Sequence, residues 1–328
     1  MTRPPRVVSL LASGTEIVHA LGLGDRLVGR SHECDWPPDV LRLPACSAPR
    51  FDPRVPSAVI DDRVRALVAR ALSIYEVDVD LLERLRPDVI ITQDQCEVCA
   101  VSLKDVEAAV CRLVGSRPRI VSLSPHCLVD VWDDVGRVAA ALDVPERGEA
   151  LVASLWGRMA AIEARATVLG LRPRVACVEW IEPLMAAGNW MPELVAMAGG
   201  ESLFGVAGRH SPWMTWEALV AADPDVLLVS PCGFTLEQTA AEMPLLMAHT
   251  EWRALAAVRA GQVVLADGNA YFHRSGPRLV ESLEILAEIL HPGEFAFGHA
   301  GRGWMRWRTR IADGMDGHVL TETGPQGQ

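Results

Sequence analysis

One phrase occurs twice in this chain, as Leu85-Arg-Pro-Asp-Val-Ile-Ile-Thr-Gln93 and as Ala222-Asp-Pro-Asp-Val-Leu-Leu-Val-Ser230. Each copy reads as a helix end, a Pro-Asp turn and a β-branched apolar run. Such a run needs cover on both faces, as a parallel strand in an α/β sheet has it. Between the copies, 128–142 and 146–168 are helical in period, interrupted only by Asp143-Val144-Pro145. A strand-helix series precedes this stretch and another follows it. The expectation is an α/β fold of two Rossmann-like lobes with mostly parallel sheets, bridged by one long α-helix, with a ligand cleft between the lobes. The lobes are set at 1–126 and 170–291, the linking helix at 127–169, and a partly disordered tail at 292–328.

Strands are read at 6–10, 27–31, 88–92 and 119–123 in the first lobe, and at 174–178, 225–230 and 262–266 in the second. The Pro-rich stretch between Trp36 and Pro56 reads as extended loop. Parallel strands send their following loops to one edge, where open α/β sheets bind ligands. Past those ends stand His32, Cys34, Cys96, Cys99 and His126, then Glu179, Trp180, Glu182, Trp190, Cys232, Asp267, Asn269 and His273.

Cys34, Cys96, Cys99 and Cys232 make a sulfur-rich set suited to Zn, Cu or Fe, with His32 as a substitute ligand. Cys96 and Cys99 alone equally suit a redox disulfide. In a metal-dependent enzyme, Glu179 or Glu182 would be the general base. Free cysteines are also among the most buried residue types, which is the reading taken for Cys46, Cys111, Cys127 and Cys177. Ten Trp stand against two Tyr, and Trp180 and Trp190, in loop contexts, can wall a ligand as well as a core. There is no glycine-rich dinucleotide fingerprint, P-loop, G-x-S-x-G elbow or H-E-x-x-H.

A formal net charge of −11 without a basic stripe argues against nucleic acid. No stretch approaches the ~20 apolar residues of a membrane span. The apolar run after Arg6 is shorter than the ~7–15 residues of a signal-peptide core, and Pro4-Pro5 precedes it. The expectation is a cytoplasmic protein, extracytoplasmic if the start is mis-assigned.

Arg6-Val-Val-Ser-Leu-x-x-Ser-x-Thr-Glu-Ile17, Ala20-Leu-Gly-Leu-Gly-Asp-Arg-Leu-Val-Gly29, the first Pro-Asp phrase and Trp190-x-x-Glu-Leu-x-x-x-Ala-Gly-Gly200 together resemble the vitamin B12-binding and ferric-siderophore-binding proteins of ABC importers. The resemblance runs from about Arg6 to Leu290. S-H-E-C-D, Q-D-Q-C-E-V-C, E-W-I-E-P-L-M-A-A-G-N-W and S-P-C-G-F resemble a branch labelled cobalamin-binding.

The resemblance implies a small-molecule or metal-chelate ligand, here cobalamin or another corrinoid, held by His32, Glu179, Trp180, Trp190, Asn269 and His273. His32 or a cysteine would be the axial ligand to cobalt. It also implies an ABC permease partner, docked through one acidic residue per lobe. The matching positions are Asp80, where the family has glutamate, and Glu217.

Overall fold

The computed structural model describes residues 3–53, 55–69, 74–95, 101–113, 115 and 117–308. The chain divides into two units: the first runs to Trp156 and takes in Ser275–Pro277, and the second holds the remainder. Each is a layered α/β unit, as the paired phrases imply.

In the first unit, β1 (Val7–Ser9), α1 (Ala12–Ala20), β2 (Leu27–Arg30), β3 (Ser47–Pro49), α2 (Ser57–Ala69), β4 (Tyr75–Val77), α3 (Val79–Leu85), β5 (Val89–Gln93), α4 (Leu103–Cys111), β6 (Arg119–Leu123) and α5 (Leu128–Ala141) follow in order. The sheet is β2-β1-β5-β6, parallel throughout. Its central strands β1 and β5 are buried along their whole length, which explains their unbroken apolar runs. Gly14 lets α1 lie against the sheet: a Cβ there would sit 2.7 Å from Ile91 and 2.9 Å from Ser9. The stretch read as loop hides β3, which pairs antiparallel with β4. Three-residue strands leave no period to read.

The helical stretch is two helices, because Asp143 adopts φ +60° and α6 (Pro145–Leu169) restarts at the proline. α5 packs on α1 and β6, and so belongs to the first unit. The second unit contains β7 (Arg174–Trp180), β8 (Met185–Ala186), α7 (Met191–Met197), β9 (Glu201–Leu203), α8 (Trp216–Ala222), β10 (Val226–Val229), α9 (Leu236–Met247), α10 (Ala256–Arg259), β11 (Val263–Ala266), α11 (Leu279–Leu290) and β12 (Trp304–Arg306). Its parallel strands β9-β7-β10-β11 repeat the order β2-β1-β5-β6 of the first unit, with β8 and β12 added antiparallel.

Every residue of α11 but Glu281 is buried, including Glu284 and Glu288. The stretch expected to be an irregular tail covers it and supplies β12, which pairs with β11. The expected mobility beyond Asp313 lies outside the described residues. Among the described residues no helix is long and apolar enough to cross a membrane.

Candidate ligand-binding site

In both units the chain turns opposite ways after two neighbouring strands: β1 and β5 in the first, β7 and β10 in the second. The crevice outside the carboxyl ends of such strands is the ligand position of open α/β sheets.

In the first unit His32 stands just past β2. Its ring side chain is 20% exposed, and Tyr75 lies 5.3 Å away, centroid to centroid. Ser47 Oγ accepts from the His32 backbone N–H at 3.3 Å, donates to Ser31 Oγ at 3.3 Å and meets His32 Nδ1 at 2.9 Å. Nδ1 is thus engaged by the Ser47 hydroxyl, while among the described residues Nε2 makes no hydrogen bond and lies 3.9 Å from Glu33 Oε1. Burial, helped by the Arg30 charge, lowers the imidazole pKa from 6.5 to about 4. His32 is therefore neutral at pH 7, the form that ligates metals.

A test of this reading is pH dependence of unfolding. The folded pKa lies below the unfolded one, so between pH 6.5 and about 4 the unfolded chain binds the additional proton. Stability is full above pH 6.5 and falls as the pH drops through that window, by about 2–3 kcal/mol at ~1.36 kcal/mol per pKa unit. Urea denaturation at pH 7 and pH 4.5 should show His32→Gln losing less than the wild type; equal losses would contradict the assignment.

In the second unit Glu179, Trp180, Cys232, Asn269 and His273 come together. Ser211 Oγ accepts from the Gly188 N–H at 3.1 Å and donates to Glu179 Oε2 at 2.8 Å. His273 Nδ1 lies 3.8 Å from the same oxygen. His273 Nε2 is 2.6 Å from the Ser230 carbonyl, which only accepts, so Nε2 carries a proton. The Cys232 N–H donates to the Glu179 carbonyl, fixing the two strand ends together. Trp180 packs edge-on to Phe234 at 5.4 Å, and its Nε1 donates to the carbonyl of Glu182. Glu182 itself is exposed on the turn and makes no contact with Glu179.

Asn269 lies on a single π-helical turn, Gly268–Phe272, whose first residue must be glycine: a Cβ would fall 2.1 Å from the Pro231 carbonyl oxygen. Asp267 caps this turn through the Ala270 N–H, and burial raises its pKa despite that bond. Arg274, 7% exposed, donates to Asn269 Oδ1. Trp190 stands behind the turn, 5% exposed, its indole N–H donating to the Phe272 carbonyl at 2.9 Å.

Cys34 is 1% exposed and accepts from Thr15 Oγ1 at 3.0 Å. Cys96 and Cys99 lie outside the described residues. Among the described residues no group of three or more His, Cys, Asp and Glu is arranged to hold a metal ion. Burial, chiefly, pushes the Cys46 and Cys177 thiols up to about 12, in keeping with core packing.

Asp80 and Glu217 are both exposed, each the second residue of a short helix, α3 or α8. Asp78 and Thr215 cap these helices through their side chains, and Arg86 and Asp223 end them with φ of +45° and +40°. The sequence reading missed Ser47, Ser211 and Arg274. A serine far along the chain carries no local signal, although Arg274 follows His273 directly.

The profile of the periplasmic binding protein family matches residues 7–270. An uncharacterized ABC transporter substrate-binding lipoprotein of Bacillus subtilis is 22% identical over 300 residues, 89% of this chain and 82% of the relative. A vitamin B12-binding protein of Vibrio cholerae is 24% identical, covering 87% and 88% of the two chains. The crystal structure of a periplasmic heme-binding protein from Pseudomonas aeruginosa superposes with a TM-score of 0.66 at 22% identity, covering 89% of this chain and 94% of the other, a likeness of fold. A lipoprotein and a periplasmic protein work outside the cytoplasmic membrane, and these relatives overturn the expected cytoplasmic placement. That expectation leaned on the apolar run after Arg6 being too short for a signal-peptide core; the run is the buried strand β1, as read, and its shortness says nothing of location.

Proposed function

The chain belongs to the periplasmic binding protein family, and from that premise we propose that it is an ABC-importer receptor that binds a corrinoid of the cobalamin type and hands it to a permease. The observation that carries the ligand class is His32: a neutral imidazole, held at Nδ1 by Ser47, with Nε2 able to ligate cobalt. The Trp180–Phe234 pair supplies flat apolar surface for a macrocycle, and the B12-binding relatives agree with this class. Asp80 and Glu217, set on equivalent helices of the two units, are the proposed contacts to permease arginines.

Titration with hydroxocobalamin tests the reading. Binding should shift the visible spectrum; His32→Ala should abolish the shift, and Trp180→Ala should weaken binding about tenfold, as loss of an aromatic contact does. Binding of hemin with no binding of any corrin would overturn it.

A further inference from the structure

We propose that Glu179, positioned by Ser211, selects a ligand rimmed with amides and rejects one rimmed with carboxylates. The inference rests on the corrinoid reading and goes beyond it to the chemistry of the ligand's side chains.

Glu179 ends β7 beside the switch point, its side chain 12% exposed. Both neighbours of the carboxylate lie at one oxygen: Ser211 Oγ donates to Oε2, and His273 Nδ1 lies 3.8 Å from it. Among the described residues Oε1 has no hydrogen-bond partner. His273 Nε2 donates to the Ser230 carbonyl, and Nδ1, at 3.8 Å, lies beyond hydrogen-bond distance of the carboxylate. The nearby Arg274 guanidinium is engaged with Asn269. The result is an oriented acceptor in a mostly buried setting.

Such an acceptor favours N–H donors, since hydrogen bonds to a charged group are the strong ones. It disfavours a second carboxylate by like-charge repulsion in a partly desolvated site. A corrin ring whose side chains end in carboxamides presents donors; one whose side chains end in free acids presents only charge. Ser211 is a positioning residue here, since it acts through Glu179.

The matched probes are cobinamide, with amide-terminated side chains, and cobyrinic acid, with carboxylates on the same ring and cobalt, both in their aqua forms so that an axial water can be exchanged for His32. Dissociation constants for both would be measured by tryptophan fluorescence at pH 8 for the wild type, Glu179→Gln and Ser211→Ala. Circular dichroism confirms that each variant is folded. The wild type should bind the amide probe about 100-fold more tightly. Glu179→Gln should narrow that ratio to about tenfold or less, and Ser211→Ala should narrow it part of the way. A ratio unchanged in Glu179→Gln, or no preference in the wild type, overturns the proposal while leaving the corrinoid reading standing. Binding of neither probe overturns both.

Discussion

Replacing Glu288 with leucine is expected to destabilise the protein by about 3–5 kcal/mol, the range for breaking a buried charged contact. The carboxylate is 5% exposed. Its Oε1 accepts the backbone N–H groups of Phe297, Gly298 and His299 at 2.5, 2.7 and 3.3 Å, and its Oε2 accepts Trp304 Nε1 at 2.7 Å. One carboxylate thus gathers four donors of the segment that covers α11. Leucine suits a buried helical position, so the cost falls on the stranded donors. Glutamine keeps one acceptor oxygen but turns an amide against a donor, and should cost about 1–3 kcal/mol. Urea denaturation gives both values. A leucine variant within 1 kcal/mol of the wild type would show that the segment is held without this contact.

Trp190→Ala is expected to cost about 3–5 kcal/mol, the loss for truncating a large core aromatic, and to weaken ligand binding at least tenfold. The ring is nearly fully buried, and its N–H is the donor to the Phe272 carbonyl in the π-helical turn. Asn269 and His273 flank that carbonyl, so the turn that presents them loses its backing. Trp190→Phe keeps most of the bulk and isolates the hydrogen bond, at about 1–2 kcal/mol. Thermal denaturation and ligand titration of both variants separate the two effects. Normal affinity in a destabilised Trp190→Ala protein would mean that the turn holds its shape unaided.

Trp190 also marks the boundary of what sequence reading could reach. Its loop context gave it a place near the ligand, and the structure gives it a supporting position behind the residues of the π-helical turn. Strands β1, β5, β7, β10 and β11 were legible because buried parallel strands write long apolar runs between turn residues. β3, β8, β9 and β12 were not, since two or three residues leave no period and their pairing is decided by tertiary contact. Glu179 and His273 were singled out because loops past strand ends are where chemistry gathers. Ser211, which orients Glu179 from 32 positions further along the chain, has no local pattern that would mark it. The localisation failed for a different reason: it was inferred from an apolar run too short for a signal-peptide core, and such an absence says nothing of where a protein works.

The repeated strand order has a consequence for how the chain reaches its native state. Two stretches of one polypeptide that build the same sheet can in principle exchange strands, and β5 and β10, preceded by the same Pro-Asp turn, are the natural candidates for such an error. Among the described residues, the second sheet carries antiparallel strands at its ends and the first does not. β12 closes the flank of β11 and β8 the flank of β7, both antiparallel. The two near-copies of one architecture thus share a central strand order and differ at their ends, where the second sheet carries antiparallel strands.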